Sequence, residues 1–148
     1  MANEAIYTWG TQKTLEASGA SVSNATIAQA NDSTYSVASD GSNYPDAEFV
    51  LKVQFGTVTS IENTAISLFA RPLNIDGTND APAPTATYME THVGDFVVYG
   101  SAAATDQYLW LEAFGVPKEA EYYIKNSTGQ TITAGWTLKV TPRTYKPA

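Results

Sequence analysis

Apolar and polar residues alternate with a period of two along most of the chain. In Ala47–Phe55, Phe49, Leu51, Val53 and Phe55 share one side, and Glu48, Lys52 and Gln54 share the other. This predicts a half-buried strand, because successive side chains of an extended backbone point to opposite faces. Thr64–Ala70 places Ile66, Leu68 and Ala70 together. Ala120, Tyr122 and Ile124 alternate with Glu119, Glu121, Tyr123 and Lys125, and Trp136, Leu138 and Val140 alternate with Thr137, Lys139 and Thr141. Two runs are apolar on both sides: Phe96 and Val98 against Val97 and Tyr99, and Leu109 and Leu111 against Tyr108 and Trp110. Asp40-Gly41, Tyr44-Pro45, Asp76-Gly77, Gly115, Thr128-Gly129 and Gly135 fall between the runs, where turns belong. No long segment carries a 3.6-residue apolar stripe with caps. The pattern predicts about seven to nine short strands in an all-β antiparallel β-sandwich, jelly-roll-like.

The alternation is dense over residues 47–148 and thin before them. Residues 1–46 are rich in Ala, Ser, Thr and Asn, with scattered anchors such as Tyr7, Trp9, Leu15, Val22 and Tyr35. Two readings follow. The stretch supplies weak edge strands of the same sandwich, or it is an extended N-terminal arm that orders against a neighbouring subunit, as segments of low hydrophobicity can. A length of 148 residues suits one domain overall.

Composition removes several kinds of chemistry. Lys and Arg number 8 against 15 Asp and Glu, a net charge of −7, and charged residues are 16% of the chain. So acidic and charge-poor a surface does not neutralise phosphates, which argues against nucleic acid as a partner. With no Cys and one His, thiolate metal sites and a Cys nucleophile are excluded, and any triad would depend on His92 alone. No apolar run reaches the ~20 residues of a membrane helix, and the first ten residues lack the basic and apolar regions of a secretory signal.

Few residues remain as candidate sites. Asp76-Gly77-Thr78-Asn79-Asp80 could offer oxygen ligands from Asp76 and Asp80 to a hard cation, but the same residues build a turn that bonds its own backbone. Glu90, Asp95, Glu112, Glu119 and Glu121 could form a glycosidase pair only at a defined separation, and otherwise form a solvated face. Asn24-Ala25-Thr26, Asn31-Asp32-Ser33 and Asn126-Ser127-Thr128 match the glycosylation pattern, as a chain this rich in Asn, Ser and Thr does by chance. The aromatic residues, 11% of the chain, carry more information. Strands apolar on both sides need cover on the outer face as well as the inner. The expected interface is therefore Tyr99, Tyr108, Trp110 and Tyr123, together with Tyr7, Trp9 and Leu15 from the N-terminal stretch.

The segment Ala120–Pro142, which reads AEYYIKNSTGQTITAGWTLKVTP, resembles the C-terminal strand–loop–strand of small virion proteins of tailed bacteriophages. Asn43–Leu51 and Arg71–Asp80 look like earlier blocks of the same group in the same order, so the resemblance spans about residues 40–148. It implies a capsid cement or decoration protein, or another small external virion protein: a non-enzymatic sandwich, often a homotrimer, bound to the major capsid protein on the capsid surface and made in the bacterial host cytoplasm. It implies no cofactor and no membrane, and it carries no catalytic motif to transfer. The alternative is a tail-fibre or baseplate module that binds carbohydrate through Trp110 or Trp136, with Asp76 and Asp80 as polar or calcium ligands.

Overall fold

The structure, a computed structural model, describes residues 5–57, 61–88, 91–100 and 103–147. Among these there is no helix, and ten strands follow one another: β1 (Ala5–Trp9), β2 (Lys13–Gly19), β3 (Ile27–Gln29), β4 (Tyr35–Ser36), β5 (Asp46–Val53), β6 (Ala65–Pro72), β7 (His92–Val97), β8 (Gln107–Ala113), β9 (Glu119–Asn126) and β10 (Trp136–Pro147). The pattern resolves fewer because β3 and β4, with three and two residues, are too short to show a period.

All pairings are antiparallel, in two sheets. The first sheet runs β8–β5–β10, and the far side of β10 is shared by β2 along Trp136–Val140 and by β1 along Arg143–Pro147. The second runs β7–β6–β9, with β3 and β4 sharing the far side of β9. The chain crosses between the sheets after β2, β4, β5, β7, β8 and β9. This is an antiparallel β-sandwich.

The period-two runs supply the layer between the sheets. Phe49, Leu51, Val53, Leu109, Leu138 and Val140 face it from the first sheet, and Ile66, Leu68, Ala70, Phe96, Tyr122 and Ile124 from the second. The rings of Phe49 and Tyr122 meet across it, 4.8 Å between centroids. Two glycines permit close approach. A Cβ on Gly19 would collide with the Trp136 indole, whose Nε1–H donates to Ala20 O at 2.8 Å. A Cβ on Gly94 would meet Leu111 where the open edges of the sheets come together.

Residues 5–46 give β1–β4 and pack Leu15, Val22, Ala30 and Tyr35 into the same core. Leu15, expected at an interface, is instead fully buried in the sandwich, because β2 lies alongside β10 and turns that residue inward. The buried Glu16 carboxylate accepts from the backbone N–H groups of Ser18 and Asn31, which ties β2 to the following loop. Asn126 is also buried: its Nδ2 donates to Val22 O and Gln130 O, and its Oδ1 accepts from Thr128. A sequon asparagine so enclosed is a structural clamp and not a glycan acceptor.

Among the described residues, two buried hydroxyls, Tyr35 Oη and Tyr122 Oη, have no hydrogen-bond partner. Burial, and then the nearby Asp40 carboxylate, push the Tyr35 hydroxyl up to about 12. Burial raises Tyr122 as well.

Candidate functional site: an aromatic face around a buried arginine

The outer face of the first sheet is set by strand register. Along β5 it carries Glu48, Val50 and Lys52, directly opposite Glu112, Trp110 and Tyr108 on β8. On the other side these residues face Thr141, Lys139 and Thr137 of β10. The alternation continues along β10, so Arg143 and Tyr145 lie on this same face. There Arg143 stands opposite Trp9 of β1, and Tyr145 stands opposite Tyr7.

Arg143 anchors one end of this face, opposite Asp46, and is 1% exposed. Its guanidinium carbon lies 4.8 Å from the Tyr7 ring centroid, 5.0 Å from that of Phe114 and 5.5 Å from that of Trp9. Its Nη1 donates to Glu112 Oε1 at 2.8 Å. Among the described residues Nε and Nη2 have no hydrogen-bond partner, so the ring faces are what offset their desolvation. The Glu112 bond holds the guanidinium proton more tightly than usual. Tyr7 also meets Tyr145 edge-on, centroids 5.8 Å apart. The cation thus orders a cluster of rings while their outer surfaces stay in solvent.

Next to the arginine lies a depression of about 380 Å³ lined by Trp9, Glu48, Val50, Tyr108, Trp110 and Glu112. A second one, of about 330 Å³, continues along the face past Val50 and Tyr108 to Gln12, Lys52, Thr137 and Lys139. The first end is aromatic and acidic, and the second is polar and basic. Tyr108 is 66% exposed and Trp110 61%, and Tyr7, Trp9, Phe114 and Tyr145 are exposed beside them. An apolar surface this continuous is unusual for a face with no partner.

The expected interface residues divide three ways. Tyr7, Trp9, Tyr108 and Trp110 come together on this face. Leu15 is in the core. Tyr99 and Tyr123 belong to the other sheet's side: Tyr99 is exposed beyond the end of β7, whereas Tyr123 is only 6% exposed. On that side Phe69 is 4% exposed and packs on His92 at 5.4 Å. Tyr123 Oη donates to Glu121 Oε2, which also accepts from Arg71 Nη1 at 3.0 Å. Arg71 Nε donates to Ala81 O, Ala81 N–H donates to Pro72 O, and Pro84 is buried, so the connection after β6 folds back on this side. Pattern reasoning missed Arg143, Phe114 and Glu48. Continuing the β10 alternation past Pro142 would have found Arg143 on this face, beside Tyr145.

The other candidates are engaged locally. Asp76 accepts from the Asn79 side chain at 2.7 Å and from the backbone N–H groups of Thr78 and Asn79. The Asn79 amide, then these N–H groups, lower its carboxyl to about 2. Asp80 accepts from Asn74 N–H and lies 3.8 Å from Arg71. Their oxygens therefore serve the turn. No cluster of three or more potential metal ligands occurs among the described residues. His92 pairs with Asp95 at 3.0 Å in solvent. Glu90 lies outside the described residues.

Searches against protein-family models, curated proteins and solved structures match nothing.

Proposed function

We propose that this protein is a non-enzymatic virion structural protein of a tailed bacteriophage: a capsid cement or decoration protein, homotrimeric, that binds across major capsid subunits and stabilises the head. The carrying observation is the uncovered aromatic face of the first sheet, ordered by Arg143 and running from Tyr7 and Trp9 to Tyr108 and Trp110. Trp, Tyr and Arg are the anchors that carry most binding energy at protein interfaces. The virion assignment rests on the resemblance of the Ala120–Pro142 string and its two companion blocks. A cement protein acts through many weak contacts with the assembled shell, which add by avidity and mass action. Such work needs a docking face and no cofactor. We also infer that the sandwich is a jelly roll, because β2–β10–β5–β8 stands against β3–β9–β6–β7 with the chain passing repeatedly between the two.

Quantitative mass spectrometry of purified particles, with the chain located by labelled antibody, tests this reading. Many copies spread over the head support it. A few copies at the tail would give the protein to adhesion instead, and absence from the particle would refute a virion role.

A further inference from the structure

We propose that the depression between Trp9, Tyr108 and Trp110 receives an arginine side chain presented by the partner protein, with Glu48 as its counter-ion. The inference rests on the docking reading above and names the chemistry of the partner at that same face.

The molecule already contains the template. Arg143 is held by the rings of Tyr7, Trp9 and Phe114 and by the carboxylate of Glu112. The neighbouring depression repeats that composition: the rings of Trp9, Tyr108 and Trp110 and the carboxylate of Glu48. Trp9 and Glu112 belong to both places. The second place has the rings and the anion, and among the described residues no cation lines it.

Glu48 is the informative residue. It is half-buried, and among the described residues its carboxylate has no hydrogen bond and no ion pair. It stands directly opposite Glu112 across β5 and β8, where Cβ atoms are about 5 Å apart. Like charges so placed repel, and Arg143 bonds to Glu112 and not to Glu48. A cation entering the depression would relieve the other side. It would also gain the ring faces, a charge-assisted hydrogen bond and the long-range pull of a chain carrying −7. A guanidinium suits the place better than an ammonium, because its plane stacks on rings while its edge forks to a carboxylate.

Nuclear magnetic resonance on the free protein tests this directly. The probe is Ac-Gly-Arg-Gly-NH2, with the citrulline tripeptide as a neutral isostere and cellohexaose as a neutral saccharide, all at matched ionic strength. The expected result is a saturable shift of the Trp9 and Trp110 indole N–H signals with the arginine peptide, and about five-fold weaker binding of citrulline. The Trp136 indole, buried and bonded to Ala20 O, should not move. Glu48→Gln should weaken the arginine peptide by a similar factor, and Glu119→Gln, on the other sheet, should leave it unchanged.

Equal binding of arginine and citrulline, no shift of either indole, or full affinity in Glu48→Gln would each overturn the proposal. Shifts with cellohexaose and none with arginine would give the depression to a glycan and also overturn it. The docking reading fails separately. If Trp110→Asp is excluded from particles while arginine leaves the indoles unmoved, the face docks but not through a cation. If Trp110→Asp enters particles normally, the docking reading itself falls.

Discussion

The two sheets solve the same problem differently. Each has apolar residues on its outer side as well as in the core. On the second sheet the chain covers the middle of that side itself: Phe69 and Tyr123 lie nearly out of solvent, and the connection after β6 returns there and is pinned by Arg71 to Ala81 O and Glu121, while Val97 and Tyr99, at and beyond the end of β7, stay exposed. On the first sheet the rings of Tyr108 and Trp110 stand in water, and Arg143 is enclosed among the rings of Tyr7, Trp9 and Phe114. Two-sided apolar strands therefore announce cover without saying whose. Where the chain has a long connection to spare, the cover is internal. Where it has none, the rings stay in solvent.

The sharpest break in this comparison comes from truncating rings on each side. Phe69→Ala or Tyr123→Ala removes a nearly buried ring and should cost about 3 kcal/mol in urea unfolding. Trp110→Ala or Tyr108→Ala should stay within about 0.5 kcal/mol of the parent subunit, because nothing packs over those rings. Similar losses on both sides would mean that the first face is a structural layer of the subunit.

A smaller loss is expected from Arg143→Met, about 2 kcal/mol. The pair is buried on the arginine side only, with the Glu112 side chain 37% exposed, so the cost of an orphaned carboxylate is partly screened. Arg143→Lys should recover little, since an ammonium cannot lie flat among three rings. Full recovery by Lys in the same unfolding series would show that charge alone, not ring stacking, orders the face.

Tyr122→Phe should have the opposite sign. Its hydroxyl is buried without a partner, so removing it should stabilise the protein by about 1 kcal/mol. A destabilisation of that size would reveal a bond to water that the hydroxyl depends on.

The smallest effect concerns the Asp76 turn. Its folded value of about 2 lies below the unperturbed 3.8, so the carboxylate form is favoured in the native state. Its contribution is complete above pH ~4 and is lost as pH falls through ~2. Carbon-detected titration of Asp76 should give a midpoint near 2, moving toward 3.8 in Asn79→Ala. An unshifted midpoint in the parent would mean that the turn is not closed.

Much of the fold is legible in the sequence because period-two burial is a local signal. β5, β6, β8, β9 and the first half of β10 follow from alternation alone. The N-terminal strands do not, since β3 and β4, with three and two residues, are too short to show an alternation and are held by pairing with β9, which is a long-range fact. The candidate site was half legible. The outward rings of Tyr108 and Trp110 follow from Leu109 and Leu111 pointing inward. That Tyr123 is covered while Tyr108 is not depends on where the connection after β6 goes, and no local pattern encodes it. Arg143 was hidden for a different reason: a lone arginine near the C-terminus reads as surface charge until β1 and Phe114 are seen to close over it.

Hydroxyl-radical footprinting of the free subunit and of the protein in purified particles tests the central claim most directly. If the first sheet's outer face is the docking face, oxidation of Tyr108, Trp110 and Phe114 should fall strongly on assembly, while Tyr99, exposed on the other sheet's side, remains reactive. Unchanged oxidation of Tyr108 and Trp110 in the assembled state would contradict the account.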